Sequence, residues 1–288
     1  MSAPARSDQL LQQGLFHHRQ GQLAQAMERY SDVLRTDPQN ADALYYVAMV
    51  ACQEGQFRQG VELARRAIEH GPPQPRVHNL LGKAHEQLGD PLEAIKAYDQ
   101  AIALDATFAE AHGNRAALLA RAGLPEQALE SFDRALALDP KALPDWINRG
   151  ALLQDLGRHT EALDCYDKAL ALAPDDAGVL FNRANALALL GRLDEAEAGY
   201  DRAIRRDPKL VPAHVQKGIA LREHGRHDDA LASFDQALAI DPDNTAALKG
   251  KARLFYALGR LDEAQALLER VRALETPDTG SDVEGETK

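Results

Sequence analysis

Residues 143–176 read LPDWINRGALLQDLGRHTEALDCYDKALALAPDD. Gly157 follows a first helix-forming run and supplies the left-handed residue that ends it. Thr160 stands where it can cap a second run, and Pro174 prevents that run from continuing. Between them lie Ala162, Tyr166 and Ala169, a small–large–small pattern suited to close helix packing. The stretch therefore describes one helical hairpin.

The hairpin recurs every 34 residues without insertion or deletion, marked by Gly21, Gly55, Gly89, Gly123, Gly157, Gly191, Gly225 and Gly259. A second ladder is Ala26, Ala94, Ala128, Ala162, Ala196, Ala230 and Ala264, with Gly60 standing in once. Rings form a third (Tyr30, Tyr98, Phe132, Tyr166, Tyr200, Phe234) and prolines a fourth (Pro38, Pro72, Pro140, Pro174, Pro208, Pro242). Small residues at Gly82, Ala116, Gly150, Ala184, Gly218 and Ala252 let paired backbones approach, with the rings filling the space beside them. Asp194, Asp228 and Asp262, like Thr160, are expected to cap second helices, and Pro91 and Pro125 suit first turns.

Trp146, Gly150, Gly157, Ala162, Tyr166, Ala169 and Pro174 together resemble the motif of the tetratricopeptide repeat family. The resemblance implies an all-α fold, a right-handed superhelical solenoid of eight antiparallel helical hairpins whose first helices line a concave groove. The repeats fall at 7–40, 41–74, 75–108, 109–142, 143–176, 177–210, 211–244 and 245–275. Residues 1–6 and the acidic tail 276–288 are expected to be disordered. Repeat two is the weakest copy, with Gly60 and Ala64 where alanine and an aromatic are usual; repeat three has Ala106 in place of the proline.

Positions within a repeat are numbered 1 to 34 from Ser7. Position 28 is Leu or Ile in seven repeats but Arg272 in the eighth, and position 21 ends as Gln265. At the other end, Gln9, Gln13 and Gln20 replace residues such as Val77, Leu81 and Leu88. Polar outer faces of this kind suit terminal repeats, so the array is expected to be complete. Position 7 carries Arg115, Arg149, Arg183, Lys217 and Lys251, and position 25 carries Asp99, Asp133, Asp167, Asp201 and Asp235. The acids begin and end one repeat before the bases. Each base is therefore expected to pair with the acid of the preceding repeat, beginning with Asp99 and Arg115.

The family's groove positions are 2, 5, 6, 9, 12 and 13. Position 6 holds Asn114, Asn148, Asn182 and then Gln216, with Asn185 one helical step from Asn182. Side-chain amides donate and accept, so a row of them suits the backbone of an extended peptide. The row resembles the asparagine ladder in the repeat domain of O-linked N-acetylglucosamine transferases, without their catalytic domain. In repeats one and two the groove positions hold Leu11, Leu15, Tyr45, Tyr46 and Met49, which either anchor partner side chains or pack inward. A chaperone-type carboxylate clamp finds only Asn79, Lys83, Asn114 and Asn148, and lacks its third-repeat bases. Asn79 and Lys83 join the candidate peptide-binding residues.

The net charge is -11, which disfavours nucleic acid. No apolar run approaches the ~20 residues that span a bilayer, and no secretory leader is evident. Two cysteines without a CxxC exclude a disulfide framework and a zinc site. No HExxH, GxSxG, P-loop or Rossmann pattern is present, and His78, His112 and His214 share position 4, a packing position. The expectation is a cytoplasmic, monomeric adaptor that binds a protein or peptide in its groove, uses no metal or cofactor and is not an enzyme. The alternative is an assembly module acting by self-association or convex-face contacts.

Overall fold

The computed structural model describes residues 3–276. Among them are sixteen helices and no strand: α1 (Ala3–Arg19), α2 (Leu23–Thr36), α3 (Ala41–Gln53), α4 (Phe57–His70), α5 (Pro75–Gln87), α6 (Pro91–Leu104), α7 (Ala109–Arg121), α8 (Pro125–Leu138), α9 (Leu143–Asp155), α10 (His159–Leu172), α11 (Ala177–Leu189), α12 (Leu193–Arg206), α13 (Val211–Glu223), α14 (His227–Ile240), α15 (Thr245–Ala257) and α16 (Leu261–Glu275). Within each of the two stretches α1–α8 and α10–α16 neighbouring helices pack on one another, most extensively as the hairpins α1–α2, α3–α4, α5–α6, α7–α8, α11–α12, α13–α14 and α15–α16, the arrangement of an all-α helical repeat solenoid.

The periodic glycines close the first helix of every repeat. Gly89 stands at φ 78° and Gly225 at φ 73°, a left-handed conformation that costs a residue with a Cβ roughly 1–2 kcal/mol. The second helices start differently from expectation. Their N-caps in the later repeats are Arg158, Arg192, Arg226 and Arg260, none of which makes a side-chain capping bond. Asp194, Asp228 and Asp262 lie inside the first turn, where their charge meets the positive end of the helix dipole. Thr160 is likewise inside α10. True side-chain caps occur on first helices, where Asn40, Asp176 and Asn244 accept from the backbone N–H groups of Ala43, Val179 and Ala247. Pro91 and Pro125 do open α6 and α8.

At the N-terminus α1 begins at Ala3, so residues 3–6 are helical rather than disordered. Pro4 falls in the first turn, where its missing N–H breaks no helical bond. At the other end α16 runs to Glu275; apart from Thr276, the expected disordered tail lies outside the described residues.

The chain divides into two compact units, residues 1–148 and 149–288, parting within α9. Tyr30, Leu44, Tyr98, Leu119 and Phe132 are fully buried in the first unit. Leu153, Tyr166, Leu180, Leu187, Tyr200, Leu221 and Phe234 are fully buried in the second. Each such side chain contributes about 1.5–3 kcal/mol by burial. Ring and small residue are matched: a Cβ on Gly82 would lie 2.5 Å from the Tyr98 ring, and one on Gly150 would lie 2.7 Å from the Tyr166 ring.

Neighbouring repeats are tied by the expected charge ladder. Asp99 meets Arg115 at 2.7 Å in the first unit; in the second, Asp167 meets Arg183 and Asp201 meets Lys217, both at 2.6 Å, and Asp235 meets Lys251. Position 4 supplies a second tie. The ring N–H groups of His112, Trp146 and His214 donate to the carbonyls of Ala106, Pro140 and Pro208, each six residues back in the turn between repeats, at 3.0–3.1 Å. A carbonyl only accepts, so both histidines carry their proton on Nε2. Where position 4 holds Leu44 or Leu248, an arginine does this work: Arg66 donates to the Pro38 carbonyl and Arg270 to that of Pro242.

Candidate peptide-binding groove

Three first helices, α3, α5 and α7, line a concave pocket of about 420 Å³ in the first unit. Tyr45, Met49 and Cys52 come from α3, Arg76, Asn79 and Lys83 from α5, and Glu110 and Asn114 from α7. Phe57, at the start of α4, and Phe108, just before α7, complete its apolar wall. A pocket of this size falls within the range of ~300–1,000 Å³ that suits ligand binding.

The polar centre is an amide pair. Asn114 Nδ2 donates to Asn79 Oδ1 at 3.0 Å. Asn79 is only 4% exposed, so this bond fixes the orientation of both amides. Asn79 Nδ2 is left as a donor and Asn114 Oδ1 as an acceptor. That is the complement of one peptide unit.

The charges around the pocket are compensated. Arg76 is held by Asp42 at 2.6 Å and by Gln74 at 2.7 Å, and its guanidinium lies 4.7 Å from the centre of the Tyr45 ring. Lys83 meets Glu110 at 3.3 Å. Glu86 accepts from the buried Tyr98 hydroxyl and from Arg121. Burial pushes the Tyr45 hydroxyl above its ordinary pKa, with Arg76 opposing. Burial also pushes the Cys52 thiol up, with Lys83 opposing, so Cys52 is a neutral thiol at physiological pH.

The structure thus brings together Tyr45, Asn79, Lys83 and Asn114 from the candidates. Tyr46 turns away: it stacks on Tyr30 with centroids 5.1 Å apart and accepts from Arg76 through its hydroxyl. Asn148 is exposed in α9, while Asn182 in α11 and Gln216 in α13 are half-buried. Asn185 is engaged within its own hairpin, its Oδ1 accepting from the Tyr200 hydroxyl at 2.8 Å. Arg76 and Glu110 were open to detection, since both stand at groove position 2. Phe57 and Phe108 stand at positions 17 and 34, outside the groove pattern, and no periodic signal marks them.

No cluster of three or more His, Cys, Asp or Glu side chains that could hold a metal occurs among the described residues. Nor is any described helix long and apolar enough to cross a membrane.

Two family models, both described as tetratricopeptide repeat, match the chain, one over residues 17–84 and 221–279, the other over 79–142 and 147–210. The chain belongs to the tetratricopeptide repeat family. Members of this family are generally protein-interaction scaffolds, and the fold is typically non-catalytic. Among curated proteins, the chain is 28% identical over 98 residues to the photosystem I assembly protein Ycf3 of Synechococcus elongatus and of a second Synechococcus strain. That match covers 31% of this chain and 57% of the relative, so the chain spans little more than half the length of the curated relatives it matches. Among solved structures, the C-terminal part of a repeat-containing protein from Cytophaga hutchinsonii superposes with a TM-score of 0.67 at 16% identity, covering 83% of this chain and 98% of that one. YrrB, described as a tetratricopeptide repeat protein with an unusual peptide-binding site, gives a TM-score of 0.52 at 24% identity, covering 64% of this chain and 95% of its own. These likenesses bear on the fold.

Proposed function

We propose that this protein is an adaptor that holds an extended segment of a partner protein in its groove, and that the first unit supplies the principal site. The observation that carries this reading is the Asn79–Asn114 pair, which leaves one donor and one acceptor in a pocket whose apolar wall includes Met49, Phe57 and Phe108. Amides of this kind bond a peptide backbone irrespective of its sequence, and the apolar wall adds side-chain preference. YrrB, described as having a peptide-binding site, accords with such a use of the fold.

Asn148 shares Asn114's position in its repeat and is assigned to the peptide site of the first unit; Asn182 and Gln216 hold the same position in the second unit and are assigned to a site there. Asn185 contributes less, because its acceptor is already taken by Tyr200. The partner is a protein; the reading places the protein in the cytoplasm as a monomer and gives it no catalytic step.

The test is selection of random displayed peptides on the full chain, followed by titration of the selected peptides. Replacing both Asn79 and Asn114 by Ala should weaken binding about 10–100-fold, the effect of losing two hydrogen bonds. Unchanged affinity would remove the groove reading. A strictly concentration-dependent dimer that binds no peptide would favour self-association.

A further inference from the structure

We infer that Gly60 and Cys52 together set the depth of the first-unit pocket, making it a subsite for a bulky aromatic side chain of the bound segment. This rests on the groove reading above.

Position 20 is alanine in every repeat but the second, and each of those alanines is fully buried in its hairpin. At Gly60 the place of the methyl is taken: a Cβ there would lie 2.3 Å from Cys52 Sγ and 3.4 Å from the Ala48 carbonyl. The sulfur therefore sits in a recess that alanine would fill. Cys52 lines the pocket, so its other side is open. A methyl at position 60 meets fixed helix backbone on one side and a rotatable thiol on the other. The thiol gives way, and the space left to it is the pocket. The glycine that makes repeat two the weakest copy of the motif is thus what keeps this pocket open.

The chemistry of the recess selects the occupant. Cys52 and Met49 present sulfur, which packs favourably against aromatic rings. Phe57 and Phe108 offer ring faces and edges. The charges at the rim are already paired, Arg76 with Asp42 and Lys83 with Glu110, so an incoming charged side chain gains little. An uncharged ring flanked by a peptide unit on Asn79 and Asn114 uses the apolar wall of the pocket together with its central amide donor and acceptor.

The experiment is the same peptide selection on the full chain, with the selected peptides titrated against the wild type, Gly60→Ala, Cys52→Ala, the double variant of those two, and Asn79→Ala with Asn114→Ala. Selected peptides should share one aromatic residue. Gly60→Ala should weaken such a peptide about tenfold, the size expected when a pocket loses roughly a methylene of space. It should scarcely affect the same peptide with alanine in place of the ring. Cys52→Ala added to Gly60→Ala removes the displaced sulfur and should restore binding. Cys52→Met, which lengthens the side chain with Gly60 intact, should give a similar loss, so that the outcome does not depend on Gly60→Ala folding normally. Peptides that bind through the asparagines but show no aromatic preference, or a preference for an acidic residue, overturn the inference while leaving the groove reading standing. So does a loss in Gly60→Ala that Cys52→Ala fails to rescue. Peptides indifferent to the asparagine variants, or no selected peptide at all, overturn the reading itself.

Discussion

Arg115 in α7 holds Asp99 of the preceding repeat at 2.7 Å, and the same relation returns at Asp167–Arg183 and Asp201–Lys217. The acids are 38–50% exposed, so each pair stabilises by only ~0–1 kcal/mol. A double-mutant cycle on Asp167 and Arg183, followed by urea unfolding, should give a coupling in that range. It should shrink in high salt, because exposed pairs are screened. A coupling above about 3 kcal/mol, of the size expected for a dry buried pair, would contradict this account.

The ring donors at position 4 act on the turn between repeats. His214 is 8% exposed, and its Nε2–H satisfies the Pro208 carbonyl. His214→Phe keeps the bulk and removes the donor, which should cost about 1–3 kcal/mol in denaturant unfolding. His214→Gln should recover part of the loss if its amide reaches the carbonyl.

His112 makes the corresponding tie pH-sensitive. Burial lowers its pKa below the ordinary 6.5, opposed by its bond to the Ala106 carbonyl. The unfolded chain therefore takes up the proton more readily, and stability falls as pH drops below about 6.5. In His112→Phe this part of the acid sensitivity should vanish, read as a flatter dependence of Tm on pH between about 7 and 5.

Asp145 has the opposite sign. It packs against α7, where a Cβ on Gly113 would lie 2.5 Å from its carboxylate, and burial with Asp139 nearby pushes its pKa up to about 6. A raised carboxyl pKa favours the folded state below the unfolded value of 3.8, and the benefit is lost as pH rises through about 6. Asp145→Asn should therefore raise Tm at pH 7 and above, and the gain should close as pH falls towards about 4. A gain that is constant with pH would show that the charge is not its cause.

Much of this was legible in the sequence because the repeat fixes geometry. Glycines such as Gly89 and Gly225, the rings opposite small residues, and the Asp–Arg ladder all follow from a period of 34 residues that never slips. The groove positions also marked part of the pocket, with Tyr45, Met49, Asn79, Lys83 and Asn114 in its lining. What the period could not show is how departures from it combine. Phe57 enters the pocket from the start of α4 and Phe108 from the turn before α7, positions that the groove pattern does not cover. Gly60 looks like a defect until Cys52 is seen in its place. Asn185 shares the chemistry of the amide row but spends its acceptor on Tyr200, a contact set by side-chain reach within the hairpin. The caps were misplaced because the second helix starts one residue after an arginine, which moves the acids from the cap into the first turn.

The most direct test of the groove is the side-chain amide resonance of Asn79, followed by nitrogen-edited NMR as a selected peptide is added. The account predicts that the Asn79 Nδ2 protons shift downfield and exchange more slowly with water, with accompanying shifts at Asn114, Met49 and Phe108. A peptide that binds while these signals stay unmoved, and that instead shifts signals on second helices such as α6 and α8, would contradict it.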